Sequence, residues 1–247
     1  MSTLNFPHTI AGDFNAALYS FLEQREDFVP RVYLDGKNIP TLGVGYALAT
    51  RSNQTGLYEL RPAPELTQHM QALGITLIDN PQQIDDDMDI LRAAVDRLNG
   101  ISVASNIPTI AHWNAGSPDP TNTPFSFGTI TETQFQPLFN LLVDDATTAL
   151  IAKIGQPAFS ALAGSQEMVA LLSLAFNSPS LIGPHLVHVL QTGDRAEAWY
   201  EIRYDSNGGV SSGVGIANRR YAESDKFGLY DGPDQNREKD KGSGTYT

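Results

Sequence analysis

The fold is decided by residues 13–46, which read DFNAALYSFLEQREDFVPRVYLDGKNIPTLGVGY. Asp13 is a favourable helix N-cap, and apolar side chains recur after it at helical spacing. These apolar residues are Phe14, Ala17, Leu18, Phe21 and Leu22. The pattern predicts a helix that ends at about Arg25 or Glu26, because Pro30 cannot continue it.

A β-hairpin is predicted directly after this helix. Residues 32–34 and 39–46 are rich in β-branched and aromatic side chains, and an Asp-Gly turn at 35–38 separates them. Such runs around an Asp-Gly pair are typical of two antiparallel strands. The first recognisable unit is therefore a helix that leads into a small antiparallel sheet.

Two carboxylates of this segment are candidates for acid–base chemistry. Glu26 is predicted at the end of a mainly apolar helix, and Asp35 at the turn of the hairpin. Cleavage of a glycosidic bond needs a protonated acid at the leaving oxygen and a second carboxylate across the sugar. Thr41, on the returning strand, could hold a water through its hydroxyl. From the pattern alone, two solvated carboxylates around a turn are the commoner interpretation.

The segment resembles the catalytic signature of phage-type lysozymes, glycoside hydrolase family 24. The matching residues, in identity and spacing, are Glu26, Tyr33, Asp35, Thr41, Gly43 and Gly45. Later segments at 128–131, 171–177 and 215–223 resemble the start of the family's helical lobe, its buried central helix and its Arg-Arg helix. Together the resemblance covers residues 13–50 and 126–230.

The resemblance implies an α+β, mainly helical, lysozyme-like fold in which a small β-hairpin lobe and a helical lobe flank a cleft. The expected catalytic domain spans 1–230. Within it, 13–50 hold the catalytic helix and hairpin, 51–125 form an insertion, and 126–230 form the helical lobe. Residues 231–247 are polar and charged and are expected to be a flexible tail.

The pattern of apolar residues predicts further helices in the second part of the chain. One begins with Ile84 and has an acidic first turn, and one begins at Thr131 and continues to Ala146. The most apolar stretch, 166–176, is expected to be a buried central helix. Three shorter helices are predicted at 184–190, 196–204 and 217–227.

The resemblance also implies a role for each matching residue. Glu26 corresponds to the general acid, Asp35 to the carboxylate that activates the attacking water, and Thr41 to the residue beside that water. Tyr33, Asn177 and Arg219 are expected to bind substrate. Arg219, or else Arg220, corresponds to an arginine that pairs with the catalytic glutamate; two ordinary helix-surface arginines are the alternative.

Three features depart from the family pattern. Asp27 follows the catalytic glutamate where the family often has glycine, although Asp tolerates unusual backbone angles better than most residues. Tyr46 stands at the end of the hairpin, where part of the family has histidine. The insertion at 51–125 is expected to be a substrate-shaping cap or a docking surface, with no family roles for its residues.

The expected function is a muramidase that hydrolyses the β-1,4 bond between N-acetylmuramic acid and N-acetylglucosamine, with inversion. Two alternatives stay open: a lytic transglycosylase or chitosanase on a related fold, and a non-catalytic wall-binding module. The absence of a signal peptide suits a phage endolysin or an injected antibacterial effector made in the cytoplasm and acting on the periplasmic wall. The long insertion and the acidic charge favour the effector.

Composition narrows the chemistry and the partners. The chain has no cysteine, which excludes disulfides and thiolate catalysis, and its formal net charge of −12 argues against nucleic acid. The longest apolar runs are too short to span a bilayer. The expected partners are peptidoglycan strands, with an immunity protein or secretion carrier for an effector, and the chain is expected to be a monomer.

No metal or cofactor is expected from the sequence. His185 and His188 share a helix face without an accompanying acidic motif, which favours packing or solvation over a metal site. Asp85, Asp87 and Asp89 begin like a calcium loop, but the position of its glycine is isoleucine, so an acidic first helical turn is favoured. Trp113 and Trp199 could stack on sugars or anchor core and loops.

Overall fold

The computed structural model describes residues 8–113, 122–206 and 214–229, apart from the side chains of 26 and 214–216. The chain is α+β and mostly helical, with small antiparallel sheets. No helix in these ranges has the length and apolar character needed to cross a membrane. The predicted tail at 231–247 lies outside the described residues.

The elements of the described part follow one another from a first helix through two small sheets to a series of helices. In chain order they are α1 (Phe14–Glu26), β1 (Val29–Leu34), β2 (Pro40–Gly43), β3 (Tyr46–Ala47), β4 (Ala49–Arg51), β5 (Tyr58–Leu60), α2 (Ala63–Ala72), α3 (Asp87–Leu98), α4 (Glu132–Ile154), α5 (Gln156–Leu162), α6 (Gln166–Asn177), α7 (Pro184–Thr192), α8 (Arg195–Tyr200) and α9 (Val214–Phe227). A short 3-10 turn covers Pro179–Leu181, and a π-helical segment covers Glu201–Asp205.

The chain divides into two compact units. The hairpin unit comprises residues 22–141, and the helical unit comprises residues 1–21 and 142–247. The chain passes from one unit to the other within α1 and again within α4. The domain limits expected from the sequence, at 50/51, 125/126 and 230/231, stay predictions.

The predicted first helix is confirmed at both ends. Asp13 caps α1, since its Oδ1 accepts from the N–H groups of Asn15 (2.9 Å) and Ala16 (3.3 Å). The helix ends at Glu26, and Asp27 then takes a left-handed conformation with φ of 49°. A residue in this conformation directly after the last turn is a common way to end a helix. The aspartate thus occupies the backbone conformation that favours the glycine of the family pattern.

The predicted hairpin is also confirmed, and it belongs to a three-stranded antiparallel sheet of order β1-β2-β3. In its register Tyr33 lies opposite Thr41, and Leu34 opposite Pro40. β1 begins at Val29, three residues before the predicted run. The buried Gly43 has a φ of 62°, and a Cβ there would lie 2.3 Å from Cε2 of Phe135. Only glycine therefore fits where β2 meets the start of α4.

The predicted insertion holds regular structure that the sequence pattern does not predict. β4 and β5 form a two-stranded antiparallel sheet, and α2 follows them. The prediction that the next helix begins with Ile84 is wrong: α3 begins at Asp87, and Ile84 is exposed. Asp86 determines this start, because its carboxylate accepts from the N–H of Asp89 as an N-cap.

Asp87 joins the loop before α3 to the segment that follows the predicted insertion. Its buried carboxylate accepts from the N–H of Ile78 (3.0 Å) and from both the N–H (2.8 Å) and the hydroxyl (2.6 Å) of Ser126. The acidic first turn expected for this helix is confirmed, with Asp87 and Asp89 in it. These hydrogen bonds give Asp86 and Asp87 structural roles.

The helices of the second part largely follow the apolar pattern. Thr131 and Gln134 form a reciprocal capping box at the start of α4, which continues to Ile154, beyond the predicted end. In the helical unit α6 is the buried central helix, with every residue from 167 to 175 buried. It packs closely against α9. The helix predicted at 196–204 is divided into α8 and the π-helical segment.

Candidate functional site

Three of the predicted site residues share one face of the hairpin. Tyr33 and Thr41 lie directly opposite each other on β1 and β2, and Asp35 follows Tyr33 by two positions. Because side chains alternate between the faces of a strand, all three lie on the same side. Glu26 ends α1 just before this hairpin, and its side chain lies outside the described part of the structure.

The Asp35 carboxylate is fixed by the backbone of its own turn. Its Oδ1 accepts from the N–H groups of Lys37 and Ile39, each at 2.8 Å. Hydrogen bonds from N–H groups to a carboxylate stabilise its negative charge. In the described part of the chain no hydrogen bond reaches Oδ2. One oxygen therefore orients the group, and the other can accept a proton or a hydrogen bond from a bound molecule.

Tyr33 supplies a neutral hydroxyl to this face. Its side chain is buried, and this burial, followed by the negative charges of Asp35 and Asp27, raises its pKa to about 12. Its ring meets Trp113 edge to face, with the ring centroids 6.3 Å apart. At neutral pH the hydroxyl is protonated, so it can donate a hydrogen bond beside two carboxylates.

Thr41 is buried on the opposite strand. Its hydroxyl donates to the carbonyl oxygen of Ile39 at 3.0 Å. A threonine hydroxyl has one proton and two lone pairs, so Thr41 in this rotamer can still accept a hydrogen bond. A water next to Thr41 and Asp35 would donate one hydrogen bond to each. The lone pairs of its oxygen would then be directed away from both residues.

The end of the insertion runs beside the hairpin. Residues 111–113 run parallel to the end of β1, and a β-bridge between His112 and Leu34 pairs the two segments. Leu34 N–H donates to Ala111 O (3.1 Å), and Trp113 N–H donates to Leu34 O (3.0 Å). The Trp113 ring also lies 5.8 Å from the guanidinium carbon of Arg31. Trp113 thus makes the contacts of a loop anchor, one of its two expected roles, at a site that the sequence pattern does not connect with the insertion.

Tyr46, the first residue of β3, has a partner from the insertion. It is buried, and its hydroxyl lies 2.7 Å from Nδ1 of the buried His69 on α2. The guanidinium of Arg61 lies 5.0 Å from the centre of its ring. Tyr46 and His69 therefore join the three-stranded sheet to the insertion.

The two remaining predicted site residues belong to a network in the helical unit. Arg219 donates from Nε to Glu223 (3.2 Å) and from Nη2 to the Ser173 carbonyl (3.2 Å). Arg220 pairs with the other oxygen of Glu223, and its Nη2 donates to Oδ1 of the exposed Asn177 at 3.3 Å. The predicted pairing of Arg219 with Glu26 stays a prediction, since the Glu26 side chain is not described.

The centre of this network is Glu223, to which sequence reasoning gave no role. Its side chain is fully buried, and it also accepts from the Ser173 hydroxyl at 2.6 Å. The alternative of two surface arginines is wrong: Arg219 is 7% exposed and Arg220 is completely buried, and burial lowers the pKa of Arg220. A signal existed, since arginines three and four positions before a glutamate lie on one helix side.

Among the described residues, one group of three metal-ligand side chains comes close together, and sequence reasoning missed it. It consists of His185, Glu197 and Glu201, whose potential ligand atoms all lie within 4.8 Å of one another. His188, on the same helix, does not belong to the group. The two glutamates follow the histidine by 12 and 16 positions, and this spacing does not match a familiar metal-binding sequence motif.

No protein-family model matches this chain, and no curated protein is significantly similar to it.

Proposed function

We propose that this protein is a peptidoglycan hydrolase with a lysozyme-like fold, which cuts the β-1,4 bond between N-acetylmuramic acid and N-acetylglucosamine. One observation supports the proposal above the others. A helix ends at Glu26 and leads directly into a hairpin on which Tyr33, Asp35 and Thr41 share one face. This sequence of elements gives the motif the local structure that its proposed chemistry needs.

In the proposed mechanism Glu26 is the general acid. It would donate its proton to the glycosidic oxygen as the bond to the anomeric carbon breaks. This role needs a glutamate that is protonated before the bond breaks, and partial desolvation is one way in which a protein favours the protonated carboxyl group. General acid catalysis of this kind contributes about 10²–10⁴-fold to a reaction rate.

Asp35 would act as the base toward the attacking water. Its fixed Oδ1 and available Oδ2 match this role, since the carboxylate is oriented and still has an acceptor for the water proton. Thr41 would accept the second hydrogen of the water, and the Tyr33 hydroxyl would donate to the substrate or to a carboxylate. Inversion requires the Glu26 and Asp35 carboxyl groups to be about 6.5–9.5 Å apart.

The first experiment replaces each acid by its amide. We expect Glu26→Gln and Asp35→Asn each to reduce the clearing of a peptidoglycan suspension by at least about 100-fold, because neither amide can transfer the required proton. Glu23→Gln, one turn earlier on α1, is the matched control and should keep its activity. Circular dichroism checks that all three variants fold. Near-normal activity of Glu26→Gln would refute the proposal.

Product analysis separates the proposal from its rivals. Mass spectrometry of digested wall should find reducing ends; anhydro ends would indicate a lytic transglycosylase, and cleavage confined to chitosan would indicate a chitosanase. A binding module would sediment with wall glycan without clearing it. For an inverting hydrolase, NMR of the first products should give the α-anomer from the β-linked substrate.

A further inference from the structure

A second candidate site lies in the helical unit, where three potential metal ligands meet. His185 is in the first turn of α7, Glu197 is on α8, and Glu201 begins the π-helical segment after it. Nδ1 of His185 lies 2.6 Å from Oε1 of Glu201 and 3.9 Å from Oε1 of Glu197. Three successive elements of the chain thus present one nitrogen and two carboxylates to a common point.

The backbone brings the two glutamates to the same side. They are four positions apart, which places them one above the other on a helix. α8 ends at Tyr200, three residues after Glu197, and the chain continues as the wider π-helical segment Glu201–Asp205. Such widened turns are rare and occur often at functional sites. Asp205 adds a third negative charge near His185.

The charge of the group favours a cation. With neutral histidine, the two glutamates carry two negative charges, and their ligand oxygens lie within 4.8 Å of the histidine nitrogen. A divalent ion would neutralise both carboxylates.

The ligand types and distances select among metals. Zinc binds both imidazole nitrogen and carboxylate oxygen, and its open sites have three protein ligands and a water. With zinc–ligand bonds of about 2.0–2.2 Å, the ligand atoms of a tetrahedral site are about 3.4 Å apart. The measured 2.6 Å and 3.9 Å lie on either side of that value, so small side-chain rotations complete the site.

We propose that His185, Glu197 and Glu201 bind one Zn2+ ion, which links α7 to α8 and the π-helical segment. The chain has no cysteine, so a metal is a cross-link that it can form between these elements where a disulfide cannot. The sequence favours solvation for His185 because the two glutamates are distant along the chain. Folding brings them to it.

The test measures zinc binding by the whole chain after treatment with EDTA. Isothermal titration with ZnCl2 should give one site, and zinc should raise the midpoint of thermal unfolding. His185→Ala should reduce the affinity by at least about 100-fold and abolish the thermal shift, since even loss of an outer-shell partner costs about 10–100-fold. His188→Ala removes another exposed histidine from α7 and should bind like the wild type.

Two further measurements keep the result unambiguous. Glu201→Gln should weaken zinc binding as His185→Ala does, and Co2+ in place of zinc should give a visible spectrum that disappears in both variants. Absence of zinc binding to the wild type, or equal binding by His185→Ala and His188→Ala, would overturn the proposal. Since the readout is binding, the result is independent of wall hydrolysis and of Glu26.

Discussion

Glu223 in the helical unit and Asp35 in the hairpin unit are held in different ways. In the helical unit, fully buried carboxylates are neutralised by cationic side chains: Glu223 by Arg219 and Arg220, and Glu167 by Arg195 at 2.9 Å. In the hairpin unit, Asp35 is held by the N–H groups of its own turn. Asp35 remains partly exposed, whereas Glu223 has no exposed surface.

The difference bears on which of the two carboxylates has an acceptor left for a bound molecule. A glutamate that already binds two guanidinium groups and a hydroxyl has no capacity left for a substrate. A carboxylate oriented through one oxygen by backbone N–H groups keeps the other oxygen for a proton. Burial and charge pairing alone would therefore have pointed to Glu223, whereas the hydrogen-bond pattern favours Asp35 as the reactive group.

The largest effect on stability is expected for Glu223→Ala. The change leaves two buried guanidinium groups without their carboxylate, and breaking a buried ion pair in this way costs about 3–5 kcal/mol. Denaturant unfolding measures the loss. Asp225→Ala is the matched control, because Asp225 lies on the same helix and pairs with Arg203 at 3.1 Å on the surface. It should cost less than about 1 kcal/mol.

Equal losses for the two variants would contradict the comparison between buried and exposed pairs. Glu223→Gln refines it, since the amide keeps an acceptor for the Ser173 hydroxyl and removes only the charge. Its cost should lie between the other two.

Much of the arrangement of the first helix and the hairpin was predictable from sequence, because its causes are local. The Asp13 cap, the helix end at Glu26 and the Asp-Gly hairpin depend on residues within a few positions of one another, and the structure has all three. The left-handed Asp27 was foreseeable for the same reason. These features place Tyr33, Asp35 and Thr41 on one face without information from the rest of the chain.

The remainder depends on contacts between residues far apart in sequence. The placement of Trp113 beside Tyr33 and the hydrogen bond between Tyr46 and His69 involve the insertion, which has no repeated pattern. Burial of Arg219 and Arg220 depends on the packing of α9 against α6. A helical pattern identifies which residues are on a helix but not which long polar side chains find buried partners.

A second prediction concerns the hairpin unit at alkaline pH. The pKa of Tyr33 is raised from 10 in the unfolded chain to about 12 in the folded one. The folded state therefore holds this proton more tightly than the unfolded chain does. The contribution of this proton to the free energy of unfolding is complete below pH 10 and is lost as the pH rises to about 12. The loss should be about 2–3 kcal/mol of the free energy of unfolding.

Tyr33→Phe is the control for this measurement, since it removes the titrating hydroxyl and keeps the ring against Trp113. The difference in unfolding free energy between wild type and variant should change across this pH range. A difference that stays constant from pH 10 to 12 would show that the hydroxyl is not held in its neutral form by burial and the two neighbouring carboxylates.

The smallest effect is expected at Asp27, where the hairpin unit places a non-glycine residue at a φ of 49°. Glycine adopts this conformation without strain, so Asp27→Gly should be neutral or stabilise the fold by up to about 1 kcal/mol, while Asp27→Val should destabilise it by about 1–3 kcal/mol.

Asp27→Gly also removes one of the two charges that raise the pKa of Tyr33, so the alkaline transition of that tyrosine should move to lower pH. Ultraviolet titration of tyrosinate, with Asp27→Asn as the variant that removes the charge and keeps the side-chain shape, measures this shift. If neither variant moved it, the charge of Asp27 would not act on the Tyr33 hydroxyl, and burial and the charge of Asp35 would account for the raised pKa.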